Sequence, residues 1–169
     1  MYCATSIAPN VLANWDGTKV TSARGMFLEY GWNTNYGLIK DDAKVEFPEN
    51  YKFADNCICE YMFHQAKCAV DLSGWDASNI MNFKGMFLSF GALNKSDKYK
   101  ITWAGEGKMF TPKEGASFEG MFEMVQIQEL DLSQLDINKA SNLSYMFEGY
   151  GQTIALSQQI LQPFAGKII

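Results

Sequence analysis

The order of apolar and polar positions around residues 70–90 recurs twice, at an interval of about 60 residues in each direction along the chain. The equivalent residues form three sets: Trp15, Asp16, Met26 and Phe27; Trp75, Asp76, Met86 and Phe87; Leu135, Asp136, Met146 and Phe147. A fixed period of this size is typical of repeat proteins.

Met-Phe dipeptides divide each repeat into a long and a short unit. They begin at positions 26, 62, 86, 121 and 146, so that the successive spacings are 36, 24, 35 and 25. A sixth dipeptide, Met109-Phe110, falls outside this register. Short and long units therefore alternate in a double repeat of about 60 residues.

Apolar residues around each Met-Phe dipeptide follow steps of three and four. Around residue 86 they are Ile80, Phe83, Met86, Phe87 and Phe90. This spacing predicts an amphipathic helix with one buried face. The preceding Ser-Asn pairs are candidate N-caps, and Gly91 stands where a helix C-terminal glycine belongs.

Short alternating runs precede these predicted helices and indicate strands. They are Val45–Phe47, Val70–Leu72, Ile101–Trp103 and Leu130–Leu132, with weaker candidates at Val11-Leu12 and Ile160-Leu161. We therefore expect an α/β solenoid of about six strand-turn-helix rungs, forming one domain over residues 1–169. Neighbouring rungs must stack because no single rung can bury its apolar face.

The repeat also predicts which residues lie in the core and which are available to a partner. The predicted core is Trp15, Met26, Phe27, Met62, Phe63, Trp75, Phe83, Met86, Phe87, Met121, Phe122, Met146 and Phe147. Extra length falls after the helices, where insertions in a solenoid gather on one edge. The interaction residues expected there are Trp32, Asn33, Tyr36, Asn94, Lys95 and Tyr99; the alternative is that these loops bind nothing.

Charge and composition narrow the range of partners and compartments. A net charge of −5 and a pI near 4.9, with scattered basic residues, argue against a nucleic-acid partner. The sequence has no run of about 18 apolar residues, so we expect no membrane insertion. The first residues do not resemble a signal peptide, and four cysteines do not resemble a disulfide framework, so we expect a reduced, cytoplasmic protein or one whose leader lies elsewhere.

Candidate chemistry is sparse. The single histidine, His64, occupies a repeat position that accepts many residue types, so we expect it at the surface and expect no catalytic residues. Cys57, Cys59, His64 and Cys68 could together hold zinc, but Cys59 shares the core position of Phe83. We therefore expect no metal and no cofactor.

An aspartate recurs once in each double repeat, at Asp16, Asp76 and Asp136. Its carboxylate could accept backbone N–H groups of the following turn, or the column could bind metal. One carboxylate in each double repeat is too sparse for a cation site, so capping is the preferred interpretation.

The segment DLSGWDASNIMNFKGMF resembles the repeat of a bacterial surface-protein family that includes mycoplasma-type lipoproteins and BspA-like leucine-rich-repeat proteins. Residues 70–90 carry the resemblance most closely and residues 130–150 less so. The resemblance implies a leucine-rich-repeat-like solenoid, a location at the cell surface, and a non-catalytic role in adhesion or protein interaction.

Three function classes follow from these observations. A protein-interaction or adhesion module is favoured, and a small intracellular structural or self-assembling protein is the alternative. An enzyme is the third class, which the lack of catalytic motifs disfavours. The apolar C-terminal stretch further suggests a homodimer through one end of the solenoid. The alternative is that this stretch folds back over the last rung and leaves a monomer.

Overall fold

The computed structural model describes residues 11–33, 38–39, 43–91, 98–127 and 130–149. Short 3₁₀ helices span Val11–Asn14 and Gly17–Lys19. The strands are β1 (Trp32–Asn33), β2 (Leu38–Ile39), β3 (Lys44–Glu46), β4 (Ala69–Asp71) and β5 (Ile101–Thr102). Strands β1 and β2 pair antiparallel, while β3, β4 and β5 form a three-stranded parallel sheet in that order.

The predicted strand-turn-helix solenoid is wrong. Within the described ranges there is no helix of seven or more residues, and the Met-Phe segments are turns. The predicted strands near Val45, Val70 and Ile101 exist, whereas residues 130–132 form no strand and Val11-Leu12 lies in a 3₁₀ helix. The candidate strand at Ile160-Leu161 lies outside the described residues.

Five segments, which we call turn runs, replace the predicted helices: residues 22–30, 58–66, 82–90, 117–125 and 142–149. In the third run, Met86 and Leu88 each donate to the carbonyl three residues earlier, at 3.1 and 3.0 Å. The intervening amides donate to the next run instead, as Phe87 does to Met121 at 2.9 Å. Each run is therefore a series of overlapping turns that needs its neighbour.

This backbone explains why the apolar spacing indicated a helix. A left-handed residue occurs at every fourth position, such as Gly85 (φ 57°) and Ser89 (φ 52°). The buried side chains consequently fall at steps of three and four, as they would on a helix. A helix satisfies its interior amides within one segment, whereas here alternate amides are satisfied by the following run.

The register of the repeat is confirmed by parallel bridges between successive turn runs. They join Ser22 to Ile58, Ile58 to Asn82, Asn82 to Ser117 and Ser117 to Asn142. The spacings of these bridged residues, 36, 24, 35 and 25, are those of the Met-Phe dipeptides. We call the resulting stack of five turn runs the turn ladder.

A column of stacked phenylalanine rings runs through the turn ladder. Successive rings are 5.1, 5.3, 5.8 and 5.8 Å apart, with interplanar angles of 10° or less. The members of the column are Phe27, Phe63, Phe87, Phe122 and Phe147. The ring at the centre, Phe87, is fully buried and also meets the edges of Phe90 and Trp103.

Most of the residues predicted for the core are buried. The exceptions are Met26 and Phe147, which are half-buried at the two ends of the turn ladder, and Trp15. Trp15 differs most, with 42% of its surface exposed. Its equivalent Trp75 stacks on Phe47 at 5.0 Å, whereas Trp15 has no ring contact among the described residues.

The recurrent aspartates cap turns, as predicted. Each carboxylate of Asp16, Asp76 and Asp136 accepts the N–H group two residues further along, at 3.1, 3.1 and 3.0 Å respectively. Although burial opposes it, hydrogen bonds from Lys52 and Ser78 hold the pKa of Asp76 below its ordinary value. The aspartate column is thus explained by local turn geometry.

Candidate functional site

The expected interaction residues fall into three groups in the structure. Tyr36, Asn94 and Lys95 lie outside the described residues, and Trp32 and Asn33 form β1. Tyr99 lies in the core with 1% of its surface exposed, so it presents almost no area to a partner.

The cysteine and histidine cluster lies largely inside the core. Cys57, Cys59 and Cys68 are buried free thiols, and burial raises the pKa of Cys68. No group of three His, Cys, Asp or Glu side chains in the described ranges is arranged to hold a metal ion. His64, expected at the surface, is half-buried beside the ring of Tyr61.

Burial of His64 makes the stability of the fold depend on pH. Burial lowers the pKa of His64 in the folded state, so protonation favours the unfolded chain. The stabilising contribution is complete above the unfolded-state pKa of about 6.5 and is lost as the pH falls below it. In urea unfolding between pH 7.5 and 5, we expect a loss of stability that His64→Gln removes; an unchanged slope in this variant would contradict the assignment.

The outer face of the turn ladder carries either glycine or tyrosine at one repeated position. One left-handed position of each run, with φ between 53° and 59°, is occupied in turn by Gly25, Tyr61, Gly85, Gly120 and Tyr145. The ring of Tyr61 packs against Gly85, where an added Cβ would be 2.4 Å from it. Gly85 therefore makes room for the tyrosine of the preceding run.

A cleft lies on this face between Tyr61 and Tyr145. It has a volume of about 60 Å³, and its other lining residues are Lys84, Gly85, Leu88, Glu119, Gly120 and Glu123. Pockets for metabolites are typically about 300–1,000 Å³. The cleft is therefore suited to the tip of one side chain from a partner rather than to a metabolite.

Charged groups at the rim give the cleft a negative site. Lys84 pairs with Glu119 at 2.7 Å, and Arg24 pairs with Glu60 at 3.3 Å while lying 5.5 Å from the centre of the Tyr61 ring. Glu123 extends over Gly120 and has no ion-pair partner in the part of the chain that the structure describes. Its carboxylate is available to a cation entering the cleft.

Exposed apolar surface lies beside the same cleft. Tyr145 is 64% exposed and Met124 is 54% exposed, and Met124 borders Gly149 of the last run. The sequence contained a signal for this site, since tyrosine replaces glycine at equivalent repeat positions. A helix prediction for these segments does not reveal the site. The residues that meet there belong to successive turn runs rather than to neighbouring turns of one helix.

These features define a tandem-repeat protein whose units are joined by backbone hydrogen bonds and a shared aromatic core. The chain belongs to the family described as Mycoplasma protein of unknown function, DUF285, whose profile matches residues 1–109 and again residues 57–160. The match does not extend specifically to BspA-like leucine-rich-repeat proteins. Comparisons with curated proteins and with solved structures gave no match. None of the helices in the described ranges has the length and apolar character needed to cross a bilayer.

Proposed function

We propose that this chain is a non-enzymatic protein-interaction or adhesion module that binds a basic segment of a partner protein at the Tyr61–Tyr145 cleft. The proposal rests on the position of Glu123, which lines a cleft flanked by two tyrosines. Its carboxylate has no ion-pair partner among the described residues. An arginine or lysine side chain fits both features, because cations pair with carboxylates and lie favourably over aromatic rings.

The chain itself provides a precedent for this recognition. Arg24 lies over Tyr61 and pairs with Glu60, so one arginine contacts a tyrosine and a carboxylate of the neighbouring run. The net charge of −5 further favours approach of a basic partner. The small volume of the cleft and the exposed surface of Met124 and Tyr145 support contact with a polypeptide.

A display library of random peptides tests this function. Selection on the intact chain should enrich peptides with arginine or lysine, and binding of a selected peptide should weaken with added salt. Glu123→Gln should reduce its affinity about tenfold, since charge-assisted hydrogen bonds contribute about 1.5–3 kcal/mol. Tyr145→Ala should reduce it similarly.

A matched control separates the cleft from overall charge. Glu106→Gln makes the same change at an exposed residue that does not line the cleft, so it should bind the peptide like the parent chain. Selection of peptides without basic residues, or equal affinities for Glu123→Gln and Glu106→Gln, would reject the proposed site.

A further inference from the structure

The turn ladder has a direction that is set by its backbone. In the first four runs, alternate amides donate to carbonyls of the following run, from Ala23 to Ile58 at 2.8 Å through to Met124 to Glu148 at 2.7 Å. Within the turn runs, each interior interface therefore consists of a row of N–H groups on the earlier run and a row of carbonyls on the later one.

The first run presents a carbonyl row at its outer edge. By equivalence with the second run, this row consists of the carbonyls of Ser22, Arg24, Met26 and Leu28, and no described residue donates to them. Ser22 and Arg24 are exposed, and Met26 is half-buried although its equivalents Met62 and Met86 are fully buried. This edge consequently resembles an interior interface from which the partner run has been removed.

Three amides of the fifth run are complementary donors. Within the described ranges, the amides of Leu143, Tyr145 and Gly149 make no hydrogen bond, although their equivalents in the fourth run all donate forward. Tyr145 and Gly149 are exposed and Leu143 is half-buried. Two copies of one edge cannot pair, because donors would face donors or carbonyls would face carbonyls.

We infer that copies of this chain associate head to tail, with the fifth turn run of one copy donating to the first turn run of the next. The side chains at this joint match an interface already present in the molecule. Tyr61 of the second run packs on Gly85 of the third, which follows the basic residue Lys84. At the joint, Tyr145 would meet Gly25, which follows Arg24.

Gly25 has the space that this contact needs. A Cβ built there has a single neighbour within 4 Å, the Leu28 Cβ at 3.8 Å, whereas the same atom at Gly85 meets the Tyr61 ring. The contact is heterologous, so each added copy leaves the same two edges exposed. Association is therefore open-ended rather than a twofold dimer, and it does not depend on the cleft proposal.

Sedimentation of the intact chain over a range of concentrations tests the inference. The average mass should rise continuously above twice 19.0 kDa without a plateau. Gly25→Asn should remain a monomer, because its side chain would occupy the Tyr145 site while asparagine tolerates a φ of 59°. Ser144→Arg should also remain monomeric, because it would oppose Arg24 of the next copy across the joint.

The control is Gly107→Asn, which makes the same substitution at a left-handed glycine with nothing within 4 Å of its Cβ. This variant should associate like the parent chain, and thermal melting should show that all three variants are folded. A monomer at every concentration, a plateau at twice the mass, or equal association of the Gly25 and Gly107 variants would overturn the inference. Gly25→Asn should retain peptide binding and Glu123→Gln should retain association, so failure of one proposal is distinguishable from failure of the other.

Discussion

Replacing Phe87 with alanine should lower the free energy of unfolding by about 3–5 kcal/mol, the usual range for removing a buried phenylalanine. The ring is fully buried and lies between Phe63 and Phe122, at 5.3 and 5.8 Å. Truncation would leave a cavity that opens the column on both sides. Urea unfolding followed by tryptophan fluorescence measures the change.

A pair of methionine substitutions controls for the general effect of truncation. Met86→Ala should cost about 2–5 kcal/mol because Met86 is fully buried. Met109→Ala should change stability by less than about 0.5 kcal/mol, since Met109 is 50% exposed and outside the repeat register. Equal losses in the two variants would show that burial in the core does not determine stability.

Gly74→Ala should destabilise the chain by about 3 kcal/mol, at the upper end of the usual range for overpacking. An added Cβ would lie 2.2 Å from the carbonyl oxygen of Phe47 and 2.4 Å from that of Pro48. Both obstacles are backbone atoms, so relief requires displacement of the segment after β3. Urea unfolding again measures the loss.

Gly105→Ala is the matched control for this substitution. Its Cβ would meet only the side chain of Lys108, at 3.8 Å, and its φ is not in the left-handed region. Alanine there should be neutral or slightly stabilising, since it restricts the unfolded chain. A Gly74→Ala variant as stable as Gly105→Ala would contradict the close approach at Gly74.

The repeat register was predictable from the sequence because it depends on side chains. Met86 and Phe87 recur at one phase, and the structure buries their equivalents in one core. The local backbone was not predictable in the same way, since steps of three and four fit both a helix and overlapping turns. The two backbones differ in the acceptor of alternate amides such as that of Phe87. That acceptor lies in the following run, which is distant in the sequence.

The candidate site depended on the same missing information. Tyr61 and Gly85 are far apart in the sequence and meet only because successive runs stack. The expected loop residue Tyr99 shows the converse, since a tyrosine in a polar stretch was assigned to the surface and is buried. Composition suggested candidate contact residues, but stacking determined which of them reach the surface.

The alternation of backbone donors has a consequence for how such genes can change. Inserting one codon within a turn run would shift the following residues by one position. Amides that now bond within the run would then face the next run, and an insertion before Phe87 would move this ring out of its column. Duplicating or deleting a complete double repeat would instead recreate joints of an existing kind. Point insertions should therefore be confined to the connections between turn runs, while copy number should vary by whole repeats.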